Sequence, residues 1–243
     1  INIENVSFSY SGAERDNVLH GITMVVPQNK VTAIVGASGS GKTTLVKLLQ
    51  GFYMPSHGSI RIGATPLNQI NPHFWRSKTG SVMQDSYVFS DTIANNIAVG
   101  AVDIDKDRLN FSVETANIKD FINQLPLNYS TKIGMEGVGV SQGQRQRILI
   151  ARAVYKNPEY IFFDEATNAL DAHNESVIMS NLREFYKGKT VLVVAHRMST
   201  VKDADNIVVL DEGRIVEQGT HQQLVQMQGV YFNLVRNQLE LES

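Results

Sequence analysis

The sequence predicts an α/β fold: a mostly parallel sheet, covered on both faces, with a helical segment inserted into it. Three observations carry this. Residues 31–35, 160–163 and 190–195 are short apolar runs without alternation, the pattern of parallel strands buried on both sides. Stretches with helical spacing separate those runs. The first run leads directly into Gly36-Ala37-Ser38-Gly39-Ser40-Gly41-Lys42-Thr43, which fits the pattern G-x-x-x-x-G-K-[ST] at every fixed position.

In order along the chain, Ile1, Ile3, Val6, Phe8 and Tyr10 form an imperfect alternation that predicts a first strand. Residues 11–17 are polar and predict a turn. Residues 22–26 predict a second strand, ended by Pro27, and residues 31–35 a third. The glycine-rich run follows, and residues 44–50 open a helix. Residues 58–62 predict a short strand after the turn at 55–58. From about Asn71 to Lys156 strand signals thin out, and residues 92–98, 106–116 and 141–155 read as helices. Residues 160–163 then end in Asp164-Glu165. Residues 171–186 predict a helix, and residues 190–195 a strand ending at His196. Residues 206–210 and 214–217 flank Asp211-Glu212-Gly213, a hairpin signal. The tail at 220–241 predicts two short helices.

Composition narrows the class. The 243 residues suffice for a sizeable core, and 42% hydrophobic with 19% charged content is ordinary for a globular protein. The net charge of −2 gives no sign of a nucleic-acid partner. Without cysteine there is neither a disulfide nor a thiolate metal site, which fits a reducing cytosol. No stretch approaches the roughly 20 apolar residues of a membrane helix, and no signal peptide is recognisable. The start at Ile1, directly into a strand, leads us to expect a domain of a longer polypeptide.

The glycine-rich run carries the clearest chemistry. Its glycines let the backbone bend around a phosphate, and the helix that follows points unpaired N–H groups and its positive end at the anion. Lys42 is placed to reach the β- and γ-phosphates and Thr43 to bind Mg²⁺. Asp164 and Glu165 end an apolar strand, where ligands bind in open parallel sheets. One carboxylate there can hold Mg²⁺, and its neighbour can take a proton from an attacking water. His196 ends another such strand and can donate to a γ-phosphate, although a lone histidine also serves as a packing or capping residue. Gln84 can coordinate Mg²⁺ or orient a water, or simply end a strand. Ser141, Gln142, Gly143 and Gln144 open a helix, either as a second anion-binding terminus or as a plain N-cap. Tyr10 offers a ring for a purine, or is a half-buried strand tyrosine.

Taken in order, Tyr10, the run from Gly36 to Thr43, Gln84, Val140 to Gln144, Tyr160 to Glu165, Ala169-Leu170-Asp171 and His196 resemble the nucleotide-binding domain of ATP-binding-cassette (ABC) transporters. They are similar to its A-loop, Walker A, Q-loop, signature, Walker B, D-loop and switch histidine. The resemblance covers essentially the whole chain. It implies a P-loop NTPase core with a mostly parallel sheet, an N-terminal antiparallel β subdomain and an inserted α-helical subdomain. The implied division is residues 1–84 and 158–243 for the core and β subdomain, and about 85–157 for the helical one.

The resemblance also implies roles. ATP and Mg²⁺ are the expected ligands. Gly36, Ser38, Gly39, Ser40, Gly41, Lys42, Thr43 and Thr44 would hold the phosphates, Tyr10 the adenine, and Thr43, Gln84 and Asp164 the metal. Glu165 would be the general base, His196 would contact the γ-phosphate, and Asp171 would contact an opposing subunit. Two such domains, expected to be identical, would face each other head to tail, with Ser141, Gly143 and Gln144 of one closing over ATP on the other. Residues 131–137, 52–58 and 84–89 resemble exporter versions of the family. There the domain follows a membrane domain in the same polypeptide and lies at the cytoplasmic face of the membrane. Within the exporters the wording is similar to peptide and bacteriocin exporters. Two departures stand out: V-S-Q-G-Q replaces the usual L-S-G-G-Q, with Ser141 and Gly143 retained, and Lys132 stands where an acidic residue is usual. Two other readings are a nucleotide-gated module without turnover, against which Glu165 and His196 argue, and a non-transport ABC ATPase. The latter usually carries coiled-coil insertions or tandem cassettes, and 243 residues hold neither.

Overall fold

The structure is a computed structural model. It describes residues 1–10, 17–134, 137–195 and 201–242, with side chains described up to residue 237. The main sheet has six strands: β3 (Val31–Val35), β6 (Thr79–Val82), β9 (Tyr160–Asp164), β10 (Thr190–Val194), β11 (Asn206–Asp211) and β12 (Arg214–Gly219). Their order is β12-β11-β3-β10-β9-β6. All neighbouring pairs run parallel except the β11–β12 hairpin. A second, antiparallel sheet has the order β2-β1-β4-β5, from β1 (Asn2–Phe8), β2 (Leu19–Val25), β4 (His57–Ile62) and β5 (Thr65–Pro66). A two-stranded pair joins β7 (Asp91–Thr92) to β8 (Lys132–Ile133).

Alternation explains why the central strands are apolar at almost every position. Successive side chains point to opposite faces, and both faces are buried. On one face Ala33, Val35, Phe163, Val191, Val193, Ile207 and Val209 join a core with the helices α6 (Gln142–Lys156) and α7 (Ala172–Phe185). On the other, Ile34, Phe162, Leu192, Val194, Val208 and Leu210 pack with Leu45, Val46, Leu48 and Leu49 of α1 (Lys42–Leu49). Ile3, Val6, Leu19 and Ile22 of the antiparallel sheet close that second core. The cover on this face is therefore one helix plus a sheet, the N-terminal antiparallel subdomain that the resemblance implied.

Most predicted elements fall within a residue or two of the observed ones. The second strand starts earlier than expected, at Leu19. β1 ends at Phe8, leaving Tyr10 beyond it. β6 was legible in the sequence only through Gln84 read as a strand end. Its Gly80 and Ser81 are poor strand formers, but the strand lies at the sheet edge against β9, and a Cβ on Gly80 would come within 2.6 Å of Pro158. Short helices α2 (Pro72–Lys78) and α5 (Lys119–Gln124) went unread. Between residues 85 and 157 lie α3 (Ile93–Ile97), α4 (Lys106–Thr115), α5 and α6. The predicted turn at 11–17 and the exporter-like stretch at 131–137 lie partly outside the described residues, and His196 lies wholly outside them. Among the described residues no helix is long and apolar enough to cross a membrane.

One fully buried amide ties α3 to the segment before it. Asn96 Oδ1 accepts from Phe89 N at 2.7 Å, and its Nδ2 donates to the carbonyls of Phe89 (3.0 Å) and Thr92 (3.0 Å). The Arg152 guanidinium of α6 reaches the same place, donating from Nε to Asn96 O at 2.7 Å and from Nη1 to Tyr87 O at 3.1 Å. Asn96→Ala strands those backbone groups in a dry site. We expect it to cost about 2–3 kcal/mol in chemical denaturation, and to lower the thermal midpoint accordingly.

Candidate nucleotide site

The site is built where three strands end level. β10 pairs with β3 on one side and β9 on the other, so Val194 stands beside both Ile34 and Asp164. The glycine-rich loop leaves β3 at this level, and Asp164-Glu165 leaves β9. Ala195 N donates to Ile34 O at 3.2 Å and Glu165 N to Val194 O at 3.2 Å, carrying the registration past the strand ends.

The loop needs its glycines for stated reasons. Gly36 has φ 151, and a Cβ there would come 2.0 Å from the carbonyl oxygen of Leu210. Gly41 has φ 100, and a Cβ there would come 2.6 Å from Leu19 Cδ2. Gly41 is also the N-cap of α1 and offers the helix no side-chain acceptor. By contrast Asp105, Ser141 and Asp171 cap α4, α6 and α7 with their own side chains. The first-turn amides of Lys42, Thr43 and Thr44 thus keep their donor capacity and the positive helix end for an anion. Lys42 is buried, and its Nζ donates to Gly36 O at 2.9 Å and Ala37 O at 2.8 Å, folded over the loop. Burial pulls its pKa down, while Glu165 and Asp164 pull it back up. Ser40 and Thr44 are buried as well. Ser38 and Gly39 lie exposed at the tip of the loop.

Asp164 is 1% exposed, and neither carboxylate oxygen has a partner in full hydrogen-bond geometry. Burial pushes its pKa up. The neighbouring Thr43 hydroxyl opposes this, Glu165 adds to it, and Lys42 and Lys47 oppose it. A dry carboxylate with two orphaned oxygens beside a threonine hydroxyl is the donor set of a hard, oxygen-seeking dication, so these residues fit Mg²⁺. Glu165 itself has φ 55, in the left-handed region that a non-glycine residue seldom occupies. Asn168 Nδ2 donates to its Oε2 at 2.5 Å.

Gln84 follows β6 by two residues and is exposed. It lines a cleft shared with Glu165, Asn168 and Ala169 on one side and with Gln142, Arg145 and Gln146 of α6 on the other. Tyr10 is half exposed. Its hydroxyl hydrogen-bonds the Thr44 hydroxyl at 3.1 Å, and its ring packs edge-on against Phe8 and Tyr53, so it stands beside the phosphate loop. Ser141 and Gln144 form a reciprocal capping box: Gln144 N donates to Ser141 Oγ at 3.2 Å, and Ser141 N to Gln144 Oε1 at 2.8 Å. Ser141 is thus the N-cap its residue type suggested, and it covers the amide of Gln144. A Cβ on Gly143 would stand 3.1 Å from Ala169 O, so the helix start also packs on the D-loop of its own chain. Asp171 caps α7 through Asn174 N, at 2.9 Å. Sequence reasoning missed Gln146 and Asn168. Flanked by Arg145 and Arg147, Gln146 reads as a solvated helix face, and no periodicity marks it.

An unpaired buried carboxylate has a consequence for stability. With its pKa raised in the fold, Asp164 holds its proton more tightly there than in the unfolded chain. Stability therefore falls as pH rises from the ordinary aspartate value of 3.8 through the raised one. Asp164→Asn removes that fall. We expect the nucleotide-free variant to gain about 1–2 kcal/mol at pH 7, with no gain below the ordinary value, read as thermal midpoints across a pH series.

A family model described as ABC transporter matches residues 19–168. The ATP-dependent lipid A-core flippase of Saccharophagus degradans is 45% identical over 238 residues, covering 98% of this chain and 40% of that protein. The leukotoxin translocation ATP-binding protein LktB of Mannheimia haemolytica is 42% identical over 240 residues, covering 98% and 34%. A solved structure of a bacterial Atm1-family ABC exporter with ATP bound matches with TM-score 0.92 at 40% identity, covering 98% of this chain and 41% of that one. The chain thus spans about two-fifths or less of the proteins it matches. With a phosphate loop at the end of β3, an acidic pair at the end of β9 and a capped signature helix in one fold, the chain belongs to the ABC transporter family and is a nucleotide-binding domain of the exporter type.

Proposed function

We propose that this domain binds and hydrolyses ATP to drive export across a membrane. The observation that carries the proposal is the level ending of β3, β10 and β9, which sets uncapped α1 amides and Lys42 beside a dry Asp164 and the Glu165 carboxylate. In this reading the α1 amides and Lys42 bind the β- and γ-phosphates, and Lys42 exchanges loop carbonyls for phosphate oxygens. Thr43, Asp164 and Gln84 hold Mg²⁺, which when bound neutralises charge on the phosphate oxygens. Glu165 takes the proton from the attacking water, with its carboxylate aimed by Asn168. His196, next to the end of β10, donates to the γ-phosphate, and Tyr10 stacks on the adenine.

The partner we propose is a second, identical copy placed head to tail. Its Ser141, Gly143 and Gln144 would close on the ATP held by the first copy, and Asp171 would meet the opposing subunit. A transmembrane domain of the same polypeptide would place the cassette at the cytoplasmic face of the membrane. ATP's higher affinity for the closed dimer would supply the switching energy. The chain's division into a core (1–84 and 158–243) and a helical subdomain (about 85–157) belongs to this reading. For the cargo we propose a peptide or polypeptide. The support is the overall wording, similar to peptide and bacteriocin exporters, and the likeness to LktB, a protein named for leukotoxin translocation.

Two outcomes test this reading. Glu165→Gln should retain ATP binding, lose hydrolysis by about a hundredfold or more, and run as an ATP-dependent dimer in size-exclusion chromatography. Hydrolysis at the wild-type rate in that variant sinks the base assignment. Lys42→Ala should weaken ATP binding at least about tenfold in fluorescent-nucleotide titration, while the thermal midpoint of the nucleotide-free protein stays close to that of the wild type.

A further inference from the structure

We infer that Gln146 is a positioning residue for Glu165, holding the base from the signature helix of the same chain. The inference rests on the reading of Glu165 as the base. Gln146 lies in the second turn of α6, five residues after the N-cap Ser141. Its Nε2 donates to Glu165 O at 2.9 Å, and its Oε1 accepts from Ala169 N at 2.9 Å. A carbonyl can only accept and an N–H can only donate, so these partners admit one orientation of the amide. The two backbone groups bracket the turn that runs from Walker B into the D-loop.

That turn needs an external brace. Glu165 sits at φ 55, in the left-handed region that is strained for a non-glycine residue. Within the turn, Asn168 Nδ2 donates to Glu165 Oε2 at 2.5 Å. Asn168 N reaches Glu165 O only at 3.3 Å, and Leu170 N reaches Thr167 O at 3.0 Å. The Gln146 amide adds a shorter bond at each end of the turn, and the close approach of Gly143 to Ala169 O sets α6 against the same segment. Where the Glu165 side chain points follows from its backbone, so a shift of α6 is passed to the base through this amide. The consequence is specific. The Gln146 side chain fastens the terminus that would close on a partner's ATP to the base that would act on the chain's own ATP.

A brace that acts through the base separates rate from binding. Gln146→Ala should lower kcat for ATP hydrolysis about tenfold or more while KM for ATP stays within about threefold. In hydrogen exchange the Ala169 amide should lose protection. Gln146→Glu keeps an acceptor for Ala169 N but no donor for Glu165 O, so it should retain that protection and still lose rate. It also serves if the alanine variant does not fold. Combining Gln146→Ala with Glu165→Gln should lower the residual rate no further than Glu165→Gln alone. Wild-type kcat in both Gln146 variants, alongside an inactive Glu165→Gln, overturns the role of Gln146 and leaves the base reading standing. Multiplicative losses in the double variant overturn it as well. A fully active Glu165→Gln overturns the base reading and this inference with it.

Discussion

Everything at the site depends on β10 sharing its hydrogen bonds with β3 and β9 at once. A parallel ladder fixes register along its whole length, and a slip of one residue would exchange the two buried faces of each strand. Both faces here are apolar and packed, Val191 and Val193 toward the helices, Leu192 and Val194 toward α1 and the antiparallel sheet. Slippage therefore has nothing to gain, and the three strand ends stay level. Level ends are what let a loop from one strand and an acid from another meet across a third.

The electrostatics at this meeting point are deliberately incomplete. Asp164 is buried without a full hydrogen-bond partner, and Lys42 is folded onto the carbonyls of its own loop. Burial of Asp164 without such a partner costs stability in the nucleotide-free chain. The N-terminus of α1 lacks a side-chain cap, whereas α4, α6 and α7 are capped by Asp105, Ser141 and Asp171. A binding site read this way is held in place by strands packed on both faces.

The signature helix is the second organising element. Arg152 fastens it to the segment from Tyr87 to Asn96, and Gln146 fastens it to the turn after Walker B. These two side chains lie six residues apart, roughly 9 Å along one rigid rod. A displacement applied at one end reaches the other without any change inside the helix. The capping box of Ser141 and Gln144 keeps its first turn formed.

Sequence by itself determined the phosphate loop, the acidic pair, the central strands and the order of motifs that names the family. These are properties of short windows: glycine spacing, unbroken apolar runs and a cap three residues before its partner. It marked β6 only by a strand end at Gln84, since Gly80 and Ser81 are poor strand formers and pair because β9 offers an edge beside them. It left Asn168 and Gln146 looking like ordinary polar residues. Only the tertiary structure decided that Asp164 is dry, that Tyr10 leans on Thr44, and that a glutamine between two arginines braces the turn carrying Glu165. The reason is physical. Local propensity and periodicity depend on neighbours in the chain, whereas desolvation and side-chain bonding depend on neighbours in space, and those come together only when the sheet closes.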